Sequence, residues 1–262
     1  MIQKKMIKAR SLGFVALFAF AVSCKGQSPQ IIAHRVFGDR ENSAQNSIDF
    51  IYRAAEIECY AIEFDVHITS DDVLVVFHDD AIIEGQVIGK TQYDEIRDYR
   101  LNNGERLPTL EQFFVNAKNC PKLKLVVEVK TDMQGQEYEQ NFLDKLMAMV
   151  DKFELQNRME YISFNLDICK QLAQRCPQLP VAYLGGGVTL QELYTAGVRG
   201  VDYHYGTFKT YPELVSQAHK LGMTVNVWTV NGEDVVKEMI DLQVDYITTD
   251  KPEMLLQMIK NK

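Results

Sequence analysis

Short apolar runs alternate with amphipathic stretches along most of this chain. The runs are rich in β-branched and aromatic residues, which favours strands, and the stretches between them space apolar residues as a helix does. Eight strands that alternate with helices form a parallel sheet that closes on itself. We therefore predict an α/β fold, a TIM (β/α)8 barrel. The predicted strands are 31–35, 60–68, 124–130, 160–164, 181–184, 200–203, 224–229 and 245–248. The predicted helices are 46–58, 109–117, 142–153, 166–175, 189–196, 211–221 and 235–242.

One further apolar run, residues 73–77, does not fit this alternation. The loop 69–72 that separates it from the second strand is far too short for a parallel crossover, which needs about a dozen residues. We therefore predict that it folds back as an antiparallel hairpin strand. Residues from about 80 to 107 follow without a role in the barrel, and we predict a small insertion there that contributes to substrate selectivity.

The first residues predict an export signal in place of a folded element. Basic residues up to Arg10 precede the apolar stretch 12–22, which is about half the length that spans a bilayer. We predict a signal peptide over 1–23, a tether over 24–29 and one barrel domain over 30–262. Residues 21–24 resemble a lipobox, so Cys24 is predicted to carry a lipid anchor; a plain secretory cleavage nearby is the alternative. Either processing places the protein outside the cytoplasm, in the periplasm or cell envelope.

Charge and cysteine content narrow the class of partner. The chain has 28 basic and 36 acidic residues, and loss of the predicted signal peptide removes basic residues only. An acidic protein of this kind is a poor ligand for nucleic acid, and nothing in the sequence implies a protein partner. The remaining cysteines have no zinc or redox spacing, so we predict buried packing residues, with a Cys169–Cys176 bridge as the alternative.

Polar residues cluster at the ends of the first three parallel strands and of the hairpin strand. Alternating strand side chains put Glu63 and Asp65 on one face, and likewise Glu128 and Lys130. The active sites of TIM barrels lie at these strand ends, so the clusters converge. Carboxylates suit Mg²⁺ or Ca²⁺, histidines suit proton transfer, and Arg and Lys suit a phosphate. The pattern predicts metal-assisted cleavage of a phosphoester. The clusters are His34-Arg35, Glu63-Phe64-Asp65, His78-Asp79 and Glu128-Val129-Lys130.

An ordered series of motifs from about residue 30 to 253 resembles the glycerophosphodiester phosphodiesterase family. The resemblance implies a TIM barrel that binds one divalent ion, Mg²⁺ or Ca²⁺, and cleaves glycerophosphodiesters to glycerol 3-phosphate and an alcohol. The motifs are Ile31-Ile32-Ala33-His34-Arg35, Glu41-Asn42-Ser43, Ile62-Glu63-Phe64-Asp65-Val66, Val75-Val76-Phe77-His78-Asp79, Leu107-Pro108-Thr109-Leu110-Glu111, Val127-Glu128-Val129-Lys130, Ser163-Phe164, Val227-Trp228-Thr229-Val230-Asn231 and Ile247-Thr248-Thr249-Asp250-Lys251-Pro252.

The resemblance also implies roles for individual residues. Glu63, Asp65 and Glu128 resemble the metal ligands of the family. His34 and His78 resemble its acid and base, and Arg35 and Lys130 its phosphate contacts. The resemblance favours Trp228 as an apolar wall for the glycerol, with core packing as the alternative. Other aromatic residues are predicted to complete the wall, because they also lie at strand ends. Those further wall residues are Phe164, Tyr183, Tyr203 and Tyr205.

Several alternatives stay open at this level. Val36 stands where the family usually has glycine, which bears on the placement of Arg35. His67 follows Asp65 on the same strand face, as a packing residue, a fourth ligand or a third proton carrier. Asp250 either caps a turn or contacts substrate. Two other functions compete: the same site acting on intact phospholipids or sphingolipids, and a non-catalytic surface lipoprotein that binds glycerophosphodiesters. An amidohydrolase is disfavoured, because its His-x-His motif is missing from the first predicted strand.

Overall fold

A computed structural model describes residues 28–35, 44–131 and 135–260 of the chain. The predicted signal peptide, Cys24, Val36 and the motif 41–43 lie outside the described residues. Within the described part, nine strands form one sheet. The strands are β1 (Gln30–His34), β2 (Ala61–Ile68), β3 (Leu74–Val76), β4 (Lys124–Val129), β5 (Met159–Ser163), β6 (Val181–Tyr183), β7 (Gly200–His204), β8 (Thr224–Trp228) and β9 (Tyr246–Thr249).

Eight of these strands are parallel and close into a barrel. Their order around the barrel is β1-β9-β8-β7-β6-β5-β4-β2, and β1 pairs with β2 to complete the ring. The remaining strand, β3, pairs antiparallel with β2 outside the ring, with Val66 opposite Val76. Both the predicted TIM barrel and the predicted hairpin strand are therefore confirmed.

Helices connect the strands and cover the outside of the barrel. Several begin at residues whose side chains accept the free backbone N–H groups of the first turn, as Thr109, Asn165 and Thr189 do. The helices are α1 (Ile48–Glu56), α2 (Tyr93–Ile96), α3 (Leu110–Ala117), α4 (Gln136–Lys152), α5 (Leu166–Arg175), α6 (Leu190–Thr195), α7 (Tyr205–Thr210), α8 (Glu213–Lys220), α9 (Glu233–Asp241) and α10 (Pro252–Lys260).

Three of these helices, α2 in the insertion, α7 and α10, are missing from the sequence prediction. The segment of α7 has little apolar periodicity, and its start is fixed by His204, whose Nδ1 accepts a hydrogen bond from the backbone N–H of Gly206. In α10, Leu255 is fully buried and Met254, Leu256, Met258 and Ile259 pack partly buried against the outer core, so the sequence carried an apolar signal that the prediction missed. No helix among the described residues has both the length and the apolarity that crossing a bilayer requires.

The alternation of strand side chains produces two apolar layers. In β2, Phe64 and Val66 pack outwards in the cluster that strands and helices share, whereas Ala61 packs in the inner cluster with Ile32 and Val126. Each fully buried large apolar side chain contributes about 1.5–3 kcal/mol to the stability of the fold. Glu63 and Asp65 share the face of Ala61, so the same alternation that builds the core turns two carboxylates into the barrel.

The segment after the hairpin forms a small cluster of its own, as predicted. Ile82, Ile88, Ile96 and Leu107 are buried together against Val75 of β3. Its Glu105 carboxylate accepts hydrogen bonds from the first backbone N–H groups of α1, which ties the insertion to the barrel.

The cysteines of the described residues are free and buried, which confirms the prediction of packing residues: Cys59, Cys120, Cys169 and Cys176.

Candidate active site

The predicted catalytic and binding residues meet in one pocket, at the carboxyl ends of the barrel strands. The pocket has a volume of about 170 Å³. Among the predicted metal ligands, histidines and phosphate contacts, Asp65 is the one that does not line it, and Asp65 contacts Lys130, which does. None of the lining residues comes from the insertion, so the pocket supplies no support for a role of the insertion in selectivity. The lining residues are His34, Arg35, Glu63, His78, Glu128, Lys130, Ile162, Phe164, Leu184, Asp202, Trp228 and Thr248.

The pocket is charged on one side and apolar on the other. Its metal-ligand candidates, cations and histidines belong to β1, β2, β4 and the hairpin, which are neighbours in the sheet. Phe164, Leu184 and Trp228 lie at the ends of β5, β6 and β8 on the opposite arc of the barrel. A bound phosphodiester would therefore meet polar groups on one side and an apolar wall on the other.

Three carboxylates form the centre of the charged side. One oxygen each of Glu63, Asp65 and Glu128 lies within 4.8 Å of the other two. The parallel pairing of β2 with β4 puts Asp65 directly opposite Glu128, and Glu63 precedes Asp65 on the same inward face. All three residues are buried. Oxygen ligands in this arrangement suit Mg²⁺ or Ca²⁺.

The electrostatics of these acids also fit a cation. Burial, reinforced by the charge of Asp65, raises the pKa of Glu63 well above its usual value. The same two causes raise the pKa of Glu128 to about 7. Within the described part of the chain, Glu63 Oε2 accepts no hydrogen bond. Asp65 Oδ1 lies 3.1 Å from Lys130 Nζ without a well-formed hydrogen bond. Buried carboxylate oxygens left in this state are costly unless a cation joins them.

Asn46 holds Asp65 in place. Its side-chain amide donates to Asp65 Oδ2 at 2.9 Å, and its side-chain oxygen accepts from the Asp65 backbone N–H at 3.2 Å. Asn46 has a φ of 59°, a left-handed conformation that asparagine tolerates better than most residues. Sequence reasoning missed this contact. The available signal was an asparagine in the turn before α1.

His34 is held by a carboxylate from the far end of the chain. Its Nδ1 donates to Asp250 Oδ1 at 2.6 Å, and Asp250 Oδ2 accepts from Asn231 Nδ2 at 2.6 Å. Burial acts to raise the pKa of Asp250, but the hydrogen bond and charge of His34 outweigh it, so the pKa is lowered. The acid is thus an acceptor, and in neutral His34 the free lone pair is on Nε2. Arg35 Nε donates to that nitrogen at 2.8 Å.

His78 has a similar partner at the end of the hairpin. Its Nδ1 lies 2.6 Å from Asp79 Oδ1, and its side chain is 37% exposed. The backbone N–H of Phe77 donates to the carbonyl oxygen of Asp65 at 3.1 Å, which brings the end of the hairpin to the rim of the barrel. Each histidine therefore binds a carboxylate through Nδ1, which leaves Nε2 as the nitrogen for proton transfer; on His34 that nitrogen must first release its hydrogen bond from Arg35.

Two cations lie among these acids. Lys130 Nζ is 2.7 Å from Glu128 Oε1. Burial lowers the pKa of this ammonium, but Asp65 and Glu128 raise it by a larger amount, so the pKa is raised overall and the ammonium stays charged. Arg35 has a φ of 40°, and its backbone is fixed by a hydrogen bond from its N–H to the Glu63 carbonyl and by another from Asn46 N–H to its own carbonyl. A strained backbone held in this way is typical of functional sites. Both side chains line the pocket and suit a phosphate.

The apolar wall is narrower than predicted. Trp228 donates its indole N–H to the carbonyl oxygen of Asp202 at 2.8 Å, and its ring meets Phe164 edge to face with 5.9 Å between centroids. Tyr183, Tyr203 and Tyr205 do not line this pocket, so that part of the prediction is wrong. Tyr183 and Tyr203 are buried in the outer core, because they alternate with inward-facing Leu184 and Asp202.

His67 lies outside the group of acids. Its ring is buried, and Nε2 is 3.5 Å from the carbonyl oxygen of His78. This position agrees with the packing alternative, since the ring lies beneath the hairpin that carries His78.

Asp202 is an acid in the pocket that sequence reasoning missed. It is 2% exposed, and its Oδ1 accepts no hydrogen bond within the described residues. Burial raises its pKa to about 7, against a smaller opposing effect of Asn226. The signal in the sequence was a single acid at an inward position of an apolar strand.

Comparisons with known proteins show the family to which the chain is similar. The model of the Glycerophosphoryl diester phosphodiesterase family matches residues 34–254. A glycerophosphodiester phosphodiesterase from Caldanaerobacter subterraneus subsp. tengcongensis is 28% identical over 248 residues, which cover 88% of this chain and 97% of that protein.

Two solved structures are similar in fold. A glycerophosphodiester phosphodiesterase from Parabacteroides distasonis is 43% identical, with a TM-score of 0.86 over 89% of this chain and 98% of that one. A phosphodiesterase from Oleispira antarctica, in complex with the product sn-glycerol-3-phosphate, has a TM-score of 0.77. It is 21% identical over 89% of this chain and 97% of that one, and shows the shared fold alone.

Proposed function

Because this chain belongs to the glycerophosphoryl diester phosphodiesterase family, we propose that it hydrolyses glycerophosphodiesters to glycerol 3-phosphate and an alcohol. The enzyme uses one divalent cation, Mg²⁺ or Ca²⁺, and an acid-base pair of histidines, His34 and His78. The crystal structure from Parabacteroides distasonis, a named glycerophosphodiester phosphodiesterase at 43% identity, supports the substrate class.

One observation carries the proposal: three buried acids from two strands lie together at a pocket that is also lined by two histidines, each held by a carboxylate. Glu63, Asp65 and Glu128 would hold the cation. The bound cation would polarise the phosphate and the attacking oxygen. Lys130 and Arg35 line the same pocket and would bind the phosphate oxygens.

The proton transfers belong to the two histidines. One, with Nε2 unprotonated, takes the proton of the glycerol hydroxyl next to the phosphoester as that hydroxyl attacks phosphorus. The other, protonated on Nε2, gives a proton to the departing alcohol. The resulting cyclic phosphate is opened by water, with the two roles reversed. Asp250 and Asp79 keep the other nitrogen of each ring occupied throughout.

Turnover of glycerophosphocholine by single variants tests the assignment. His34→Ala and His78→Ala are each expected to lower kcat about 10²–10⁴-fold, the usual contribution of a general acid or base. His219→Ala is the matched control, because His219 also binds a carboxylate, Asp245, but does not line the pocket. Near-normal turnover by both site variants would refute the acid-base pair. Tight binding of the diester by the wild type without turnover would favour the non-catalytic alternative.

We also propose that the enzyme acts outside the cytoplasm, held at a membrane by a lipid on Cys24. The basic residues, the apolar stretch and the cysteine at the start of the sequence support this location. An exported enzyme of this type would meet glycerophosphodiesters released from lipids in the cell envelope.

A further inference from the structure

A second, larger cavity adjoins the active-site pocket. Its volume is about 700 Å³, within the range of small-molecule sites. Leu184 and Trp228 line both cavities, so the apolar wall of the active site is also the inner wall of this one. The cavity extends from there between the loop after β6 and helix α8. We refer to it as the outer groove.

The lining of the outer groove is mainly apolar. It includes Val188, Leu190, Tyr211, Leu214 and Leu221. No acidic side chain lines it among the described residues, although the whole chain has an excess of acids over bases. A cationic head group would therefore find no counter-charge there. The polar side chains that do line it include Thr189, Gln191, Thr207, Gln217 and Lys220.

A glycine loop keeps the entrance to the groove open. Gly185, Gly186 and Gly187 line it and contribute no side chain. A Cβ added to Gly186 would meet no other atom within 4 Å. Gly187 has a φ of 80°, a left-handed conformation that favours glycine, and a Cβ at Gly185 would clash with Tyr183 Oη. The loop therefore adds no side chain to the lining of the cavity that Trp228 also lines.

The catalytic groups and the size of the pocket limit where the rest of a diester can lie. The acids and histidines lie on β1, β2, β4 and the hairpin, whereas the groove begins at the ends of β6 and β8. The attacking hydroxyl must reach one histidine and the leaving oxygen must reach the other, so both oxygens lie at the charged side. The rest of the leaving alcohol extends beyond the pocket, and the larger cavity, which shares Leu184 and Trp228 with the pocket, has the volume for a chain.

We propose that the outer groove binds an aliphatic chain on the leaving alcohol, so that the preferred substrates are glycerophosphodiesters of single-chain aliphatic alcohols. This inference rests on the proposed hydrolysis of glycerophosphodiesters. The reaction consumes one water, breaks the bond between phosphorus and the alcohol oxygen, and gives that oxygen a proton. The gain in binding free energy comes from moving methylene groups out of water onto the apolar lining.

The test is a series of diesters that differ only in the leaving alcohol: ethanol, butanol, hexanol and octanol, with choline as a cationic comparison. Full burial of one methylene raises binding affinity about fourfold. An open groove provides about half of that free energy, so kcat/KM should rise about twofold per methylene. A flat dependence on chain length, or a choline ester cleaved better than the octyl ester, would overturn the proposal. Failure to cleave any diester would instead refute the proposed function.

Variants place the effect in the groove. Leu214→Glu on α8 and Val188→Glu in the loop are expected to bring the octyl-to-ethyl ratio of kcat/KM close to one. Leu256→Glu on α10 is the matched control, because Leu214 and Leu256 are both half-buried on the same outer core and Leu256 does not line the groove. The control should keep the wild-type ratio, and an equal loss of the ratio in it would overturn the assignment.

Binding without turnover gives a second measurement. Trp228 is the only tryptophan in the sequence, so its fluorescence reports on the wall that the two cavities share. In an inactive His34→Ala background, the octyl diester should change this fluorescence at concentrations at least tenfold below those that the ethyl diester needs. Equal concentrations for both would count against the groove.

Discussion

Asp250 Oδ1 lies 2.6 Å from Nδ1 of His34, although 216 positions separate the two residues in the chain. The pairing of β1 with β9 closes the barrel at this point and brings the ends of both strands together. The carboxylate fixes the ring and leaves Nε2 of the neutral imidazole as the acceptor. Asp250 is thus a positioning residue for the proposed acid-base chemistry, a role different from both sequence alternatives.

Asp250→Asn is expected to lower kcat about 10²-fold with little change in KM. An asparagine amide can donate to Nδ1, which would move the proton to Nε2 and remove the base. The measurement is steady-state kinetics with a glycerophosphodiester across pH. Asp245→Asn is the control, because Asp245 binds His219 away from the pocket. Equal effects of the two substitutions would contradict a specific role for Asp250.

Glu63→Gln is expected to raise the concentration of divalent cation that gives half-maximal activity by at least about tenfold, because it removes one charged oxygen ligand. Excess EDTA should abolish wild-type activity, and added Mg²⁺ or Ca²⁺ should restore it. The control is Glu160→Gln, another buried acid, which accepts a hydrogen bond from Tyr60 and does not belong to the cluster. Activity that EDTA does not affect would refute the cation.

Cation affinity should fall as the pH drops below about 7. Without the ion, the pKa of Glu128 is raised to about 7 and that of Glu63 is also raised, so protons occupy the ligands at lower pH. Each proton released on binding gives about a tenfold change in affinity per pH unit. Calorimetric titration with Mg²⁺ or Ca²⁺ between pH 6 and 8 measures the slope. An affinity that is constant over this range would contradict the coupling.

Asp202→Asn should stabilise the fold at alkaline pH. The pKa of Asp202 is raised to about 7 in the native state, above its value in the unfolded chain, so stability is lost as pH rises from about 4 to 7. Asparagine carries no charge and avoids this loss, which is worth up to about 4 kcal/mol above pH 7. Urea unfolding of the variant and the wild type in EDTA, at pH 4.5 and at pH 8, measures the difference in their free energies of unfolding. Asp234→Asn, at a site 95% exposed, is the control, and the difference between its stability and that of the wild type should be the same at both pH values.

Cys24→Ser is expected to move the protein from the membrane fraction to the soluble fraction of the cell envelope, because the thiol is the proposed point of lipid attachment. Fractionation followed by detection of a C-terminal tag measures the shift. Replacing a cysteine of the barrel, Cys120→Ser, should leave the distribution unchanged. An unchanged membrane fraction for Cys24→Ser would favour plain secretory cleavage.

The sequence alone determined the fold class and the chemical type of the site. Strand alternation has a period of two, so Glu63 and Asp65 had to share a face, and the strand-helix repeat required parallel strands whose carboxyl ends meet. The short loop before β3 required a hairpin. These features are local, and short-range rules suffice to predict them.

Tertiary structure decided the contacts between distant segments. Closure of the barrel pairs His34 with Asp250, the turn before α1 brings Asn46 to Asp65, and the inward face of β7 carries Asp202 into the pocket. The outer groove likewise requires the loop after β6 to lie beside α8. Local periodicity specifies the direction of a side chain but not its neighbours, because those depend on how all eight strands close around one axis.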